Sequence, residues 1–181
     1  MIAQKNFFIN KNREKKTKYL GLELKEKLIG VTRVCKVTKG RRYFSFSAVV
    51  IKGNESGYVG YGFGKSKDAP DAIRKAGEQA KRSIRKICIL NGTVPHKQEA
   101  KYGGAKVLII PASDGTGIIA GGTLRSVLKA SGLRNVLSKS KGSSNHHNII
   151  KATIKALSKI RDSNFVAKER GISIKNVHNG F

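Results

Sequence analysis

The run Gly115-Thr116-Gly117-Ile118-Ile119-Ala120-Gly121-Gly122 has the composition of a loop that holds phosphate. Glycines placed after a strand and before a helix free backbone N–H groups to cradle an anion at the helix N-terminus. The spacing stops short of a nucleotide site. The G-x-x-x-x-G-K-[ST] pattern fails for want of Gly-Lys-Ser/Thr, and G-x-G-x-x-G fails because position 120 is alanine. The acidic ribose partner expected about 20 residues further on is absent, since no acid lies between Asp114 and Asp162. Asp114 would be a general base with nothing nearby in sequence to stabilise developing charge; it reads better as a turn residue bonding the loop backbone. His146-His147 are either phosphate contacts or exposed polar surface. Ser143 and Ser144 read as helix caps, because no base is placed to activate them. Cys35 and Cys88 stand apart, as do His96 and His178, and none has the short spacings of a zinc site; the cysteines read as unpaired thiols of a reducing compartment. No catalytic residue, metal or cofactor is expected.

The charge is more telling. Across 181 residues, 37 Lys and Arg face 11 Asp and Glu, for a net +26. So much like charge destabilises a compact chain unless a polyanion neutralises it, and nucleic acid also releases counterions when bound. A membrane surface would require an amphipathic anchor or a lipid signal. No apolar run approaches the roughly 20 residues of a spanning helix, and the start lacks a signal-peptide pattern. Between Glu26 and Glu55 there are seven bases and no acid: Lys27, Arg33, Lys36, Lys39, Arg41, Arg42 and Lys52. Between Asp114 and Asp162 there are nine bases and no acid. A merely solvated face mixes both signs, so the two stretches imply two phosphate-facing surfaces.

Positioning these groups falls to a small set of elements. Residues 1–21, with Lys11, Arg13, Lys15, Lys16 and Lys18, read as a basic arm without stable order. Residues 28–38 alternate as a strand, Lys39-Gly40-Arg41-Arg42 break the pattern, and Tyr43–Ile51 resume it, which makes a hairpin with a cationic tip. Tyr58–Lys65 form a third strand with Gly60, Gly62 and Gly64 on one face; either another backbone or a ribose approaches that face closely, or the next helix packs onto it. Asp68–Ile87 is a helix, with Asp68 as its cap, Pro70 in its first turn and an apolar stripe of Ile73, Ala76, Ala80, Ile84 and Ile87. Asn91–His96 is a junction. Val107–Ile110 is a short buried strand ending in the glycine loop. A helix follows with Ala120, Leu124, Val127 and Leu128 inward, then a strand over 134–139. A helix over about 146–160 faces the core with Ile149, Ile150, Thr153, Ile154 and Leu157. Residues 165–167 and 172–174 are short tail elements.

Several of these runs resemble one family in its own order. Arg33–Phe46 looks like its first hairpin and Gly57–Lys65 like its glycine strand. Pro111–Gly122 is similar to its second-domain signature, and Gly142-Ser143-Ser144-Asn145 and Lys151-Ala152-Thr153 match further on. The family is bacterial-type ribosomal small-subunit protein five, and the resemblance covers residues 22–178. It implies an α+β chain of two domains: a double-stranded-RNA-binding-like domain over 22–90 and a two-layer α/β domain with a left-handed crossover over 91–162, with a tail over 163–181. A right-handed crossover would be the default for a β-α-β unit.

The resemblance further implies small-subunit rRNA as ligand near the neck between body and head. It implies proteins four and eight as neighbours, a place beside the path by which mRNA enters and an effect on decoding accuracy; the absence of a transit-like start favours a bacterial cytoplasmic ribosome over an organellar one. Expected RNA contacts are Arg33, Lys36, Lys39, Arg41, Arg42, Gly60, Gly62, Gly64, Lys65, Arg74 and Lys75. Tyr43, Tyr61 and Phe63 are candidates for stacking on bases or for the core. Gly103, Gly104 and Lys106 match the contact with protein four, and Lys36–Arg42 match the spectinomycin-sensitive region. The family commonly has Gly-Gly-Arg where this chain has Gly40-Arg41-Arg42, and proline where His146 stands.

Overall fold

The computed structural model describes residues 23–179; the basic arm over 1–21 lies outside the described residues. The chain forms β1 (Lys25–Thr38), β2 (Arg41–Gly53), β3 (Tyr58–Ser66), α1 (Ala69–Arg82) and β4 (Arg85–Lys86). It continues through β5 (Gln98–Tyr102), β6 (Ala105–Pro111), β7 (Ile118–Ile119), α2 (Gly122–Ser131), β8 (Val136–Gly142) and α3 (His146–Lys159), and ends in α4 (Ser163–Arg170) and α5 (Ile174–Asn179). Two mixed α/β units result, one on the antiparallel sheet β1-β2-β3-β4 and one on the sheet β5-β6-β8-β7.

In the first unit α1 packs on the face that holds Gly60, Gly62 and Gly64. A Cβ at these positions would collide with the carbonyls of Ala80, Ala76 and Ala72 in turn. Three glycines on the strand thus meet three alanines on the helix, backbone against backbone. The strand has no intrinsic reason to carry glycine there; the helix supplies it. The free edge of β3 is closed by the same helix, with Tyr61 N–H donating to Ser83 Oγ at 2.9 Å and Phe63 N–H to Gln79 Oε1 at 2.6 Å. The helix ends at Arg82, five residues before the expected Ile87. Ser83 takes over its last turn, donating to the carbonyls of Ala80 and Tyr61. Ile84 and Ile87 are buried all the same, because the chain turns into β4 and pairs with Tyr58 and Val59. Asp68 stands at the N-cap without a side-chain bond, and Pro70 occupies the first turn.

The second unit has two layers. Its strands are antiparallel except for β7, which runs parallel to β8 around α2. β5 escaped the sequence reading because Gln98-Glu99-Ala100-Lys101-Tyr102 buries only Ala100, and β7 is only two residues long. β8 begins at Val136, two residues late, because Asn135 is turned into the preceding loop. α3 covers one face of this sheet with Ile149, Ile150, Thr153, Ile154 and Leu157, all buried as their spacing requires. The other face stays open.

One apolar core joins the units. Val49, Ile51 and Val59 of the first sheet share it with Leu124, Val127 and Leu128 of α2 and with the inner residues of β6 and α3. Backbone bonds lock the contact, from Glu55 N–H to the Ala130 carbonyl at 3.2 Å and from Gly57 N–H to the Ser131 carbonyl at 2.8 Å. Phe63 stacks on His147 with 3.5 Å between ring centroids. The first sheet is therefore covered on both faces, by α1 and by the second unit.

Candidate nucleic-acid interface

The pairing of β2 with β3 stops at Phe46–Ser66, whereas β1 and β2 stay paired to Thr38–Arg41. Beyond Phe46 the hairpin therefore runs on as a two-stranded ribbon, with no third strand beside it among the described residues. The turn is only Lys39-Gly40, with Gly40 at φ +80°, the left-handed region that glycine enters freely. Arg41 and Arg42 belong to the strand, not to the break the sequence suggested. Arg41 does not need glycine's freedom, so the departure from the family's Gly-Gly-Arg leaves this turn intact.

Strand alternation divides the ribbon between two faces. Arg33, Cys35 and Val37 lie opposite Phe46, Phe44 and Arg42, on the side that carries α1. Lys36 and Thr38 lie opposite Tyr43 and Arg41, on the other side, and Lys39 sits at the tip. The cations are thus split, but across a blade one sheet thick. Among the described residues, none of Arg33, Lys36, Lys39, Arg41 and Arg42 has an acidic partner within 4.0 Å, although acids are paired elsewhere: Lys25 with Glu55, Lys52 with Glu26, Lys106 with Glu99 and Arg161 with Glu169. Lys25 is the main reason that the Glu55 carboxyl stays below its usual range. Unpaired and exposed, the ribbon cations hold their full field for an incoming anion.

The remaining expected contacts fare differently. Gly60, Gly62 and Gly64 are buried against α1, so no ribose can approach that face, and these three positions are corrected from RNA contacts to helix-packing positions. Arg74 is exposed but lies beside Asp71 at 3.4 Å and Glu78 at 3.9 Å, which offsets its charge. Lys75 reaches Ser66 Oγ at 3.2 Å. Lys65 is exposed on β3, on the face away from the glycines. Tyr61 and Phe63 pack against the joint core, while Tyr43 is half exposed on the ribbon. The reading from sequence missed Phe44, which is 47% exposed with the Arg33 guanidinium 3.9 Å above its ring. Only the register that sets Cys35 opposite Phe44 brings that pair together, and a break drawn through Arg42 obscures it.

The second acid-free stretch does not form one surface. Arg125 and Lys129 lie on α2, Lys139 and Lys141 on the exposed face of β8, and Lys151, Lys155 and Lys159 on α3. Lys151 stands over Phe63 and Tyr102, and Lys155 donates to the Lys101 carbonyl. Gly103 and Gly104 form the exposed turn between β5 and β6, where the Gly104 carbonyl accepts from Ser143 N–H at 2.9 Å. Lys106 projects from the open sheet face.

The glycine loop is folded on itself. Asn135 Nδ2 donates to Asp114 Oδ1 at 2.8 Å, Gly117 N–H donates to Asn135 Oδ1 at 3.1 Å, and Thr116 N–H donates to the Ser113 carbonyl at 3.3 Å. Two of its donors are spent inside the loop, and Asp114 is a turn residue. His146 opens α3 under the Asn145 cap and bonds Thr123 Oγ1 at 2.7 Å, so the helix starts in place without the family's proline. Burial, helped by Lys151, holds the His147 imidazole below its usual pKa. Burial and Asp162 push the Cys88 thiol up against the pull of Lys86.

Comparison with known proteins agrees with this layout. The family model described as ribosomal protein S5, N-terminal domain, matches residues 24–88, and the one described as ribosomal protein S5, C-terminal domain, matches residues 100–170. The chain belongs to the ribosomal protein S5 family. It is 69% identical over 164 residues to the small ribosomal subunit protein uS5 of Karelsulcia muelleri, covering 90% of this chain and 96% of that one. It is 55% identical to uS5 of Bacteroides thetaiotaomicron and 55% identical to uS5 of Flavobacterium psychrophilum, each over 88% of this chain and 92% of the relative. Membership makes this chain a structural ribosomal protein and not an enzyme. Among the described residues no helix is long and apolar enough to cross a membrane.

Proposed function

We propose that the chain binds small-subunit rRNA through the β1–β2 ribbon and helps to set the body against the head of the subunit, beside the path by which mRNA enters, and so contributes to translational accuracy. The observation that carries this reading is the ribbon itself: five exposed cations that have no acidic partner among the described residues. Phosphate contacts of this kind position a protein on RNA, and RNA shape supplies the selectivity. Lys65, Arg74 and Lys75 extend the contact from the body of the first unit. That unit reads as double-stranded-RNA-binding-like, with an antiparallel sheet and one helix on its face. The β7-α2-β8 crossover reads as left-handed, after the family.

Proteins four and eight are the proposed neighbours. The Gly103-Gly104 turn with Lys106 is the proposed side for protein four. The open face of the second sheet, where Ile119 and Leu137 are exposed among Lys106, Lys139 and Lys141, has the mixed character of a protein contact. The setting is the cytoplasmic ribosome of a bacterium. Titrating a small-subunit rRNA fragment with the full chain at several salt concentrations tests the reading. About six phosphate contacts give a log–log slope of about −4 to −5, whereas a flat slope contradicts it. Sedimentation of a cell lysate should find the chain with small subunits and leave almost none free.

A further inference from the structure

The two faces of the ribbon differ in chemistry as well as in direction. On the face away from α1, Lys36 and Arg41 flank Tyr43 with Ser45 and Thr38, a surface of flexible cations and hydroxyls. On the α1 side, Arg33 lies over Phe44, 3.9 Å from the guanidinium carbon to the ring centroid, while Phe44 keeps 47% of its surface exposed. Neither is needed to fill the core: Phe46, two residues on, is the last side chain of this row packed on α1. A guanidinium seated this close over a ring leaves its far side to solvent, and Arg33 is exposed. Its edge carries N–H donors, and among the described residues no acid occupies them. Planar cations of this kind stack on nucleobases, and unpaired bases in RNA are read by such stacking. Arg42 projects on the same side, two residues from Phe44, which is about 7 Å along a strand. That span suits a phosphate next to a stacked base.

We propose that Arg33 and Phe44 form a stacking platform for one unpaired base of the bound RNA, in the order ring, guanidinium, base, with Arg42 on the adjoining phosphate. The platform rests on the rRNA-binding reading and deepens it. Duplex RNA hides its base faces and cannot use the platform. The protein therefore prefers RNA with an extruded base over the same RNA fully paired, and the ribbon carries selectivity as well as charge.

The test uses the full chain and two RNA duplexes of about 16 base pairs, identical except that one carries a single bulged 2-aminopurine. At low salt the charge of the chain secures binding to both. The wild type should favour the bulged duplex roughly tenfold and should quench the 2-aminopurine. Arg33→Lys keeps the charge and loses the plane; Phe44→Leu keeps apolar bulk and loses the ring. Both should bring the preference and the quenching close to those of the paired control with unchanged melting temperature, and Phe44→Leu should also leave the salt slope on the paired duplex unchanged. A wild type that binds both RNAs equally, or variants that keep the preference, overturns the platform. A flat salt slope would instead count against RNA binding itself, so the two failures are distinguishable.

Discussion

The β1–β2 hairpin contains two regions put to opposite uses. At its root, Ala48–Gly53 is buried on both faces, one by α1 and the other by the joint core. At its far end, Arg41–Phe44 is exposed on both faces. The root is small, apolar and β-branched through Ala48–Ile51, whereas the far end runs Arg41-Arg42-Tyr43-Phe44. Their surroundings differ as sharply. The root has a third strand beside it and a layer on each side, whereas among the described residues the ribbon has neither. A two-stranded hairpin is marginal alone in water, so the root stabilises the blade, and the blade is free to spend its surface on a ligand.

That division can be broken from either end. Gly62→Val at the root should cost at least about 3 kcal/mol, because its Cβ has no room beside the Ala76 carbonyl. Val37→Thr near the tip, where 71% of the residue is exposed, should change stability by less than about 0.5 kcal/mol. Urea melts of both variants measure the contrast, and comparable losses would dissolve it.

A smaller effect is expected at Lys52, the one cation of the hairpin's acid-free stretch that is buried. Its ammonium meets Glu26 at 2.7 Å with only 10% of its side chain exposed. Glu26→Gln leaves that charge short of its partner. Because Glu26 is itself 39% exposed, the loss should be about 1–2 kcal/mol rather than that of a fully buried pair. RNA affinity at fixed salt should not fall. A drop in affinity larger than the drop in stability would place Lys52 with the ribbon cations instead of with the root.

The smallest expected effect is at the Phe63–His147 stack between the units. Burial, and then Lys151, lower the imidazole pKa in the folded chain below the ordinary histidine value of about 6.5. Below that value the unfolded chain takes up a proton that the folded chain resists. This contribution to stability is therefore full above about pH 6.5 and falls as the pH drops through and below it. Melting temperatures at pH 7.5 and 5.5 should differ less in His147→Phe than in the wild type, by roughly 2 °C or less. Equal differences would remove His147 from the account.

Much of this was legible from the residues because it rests on local pattern. The apolar face of α3 at 149, 150, 153, 154 and 157 follows helical spacing, and acid-free charge between Glu26 and Glu55 needs no fold to be seen. What was not legible depends on partners distant in sequence. Gly60, Gly62 and Gly64 admit either RNA or a helix, and only the fold brings Ala72, Ala76 and Ala80 onto them. The end of α1 was overrun because Ile84 and Ile87 keep the helical stripe while being buried by β4. β5 carries too little apolar character to announce a strand. Phe44 was passed over because its role depends on a register that a two-residue turn fixes.

The most direct test of the central claim compares the salt dependence of rRNA-fragment binding for the wild type and for a Lys36→Gln, Arg41→Gln, Arg42→Gln variant. If the ribbon is the phosphate clamp, the log–log slope should shrink by about 2 to 3, and the melting temperature should stay where it was. A slope that survives the loss of all three charges would contradict it.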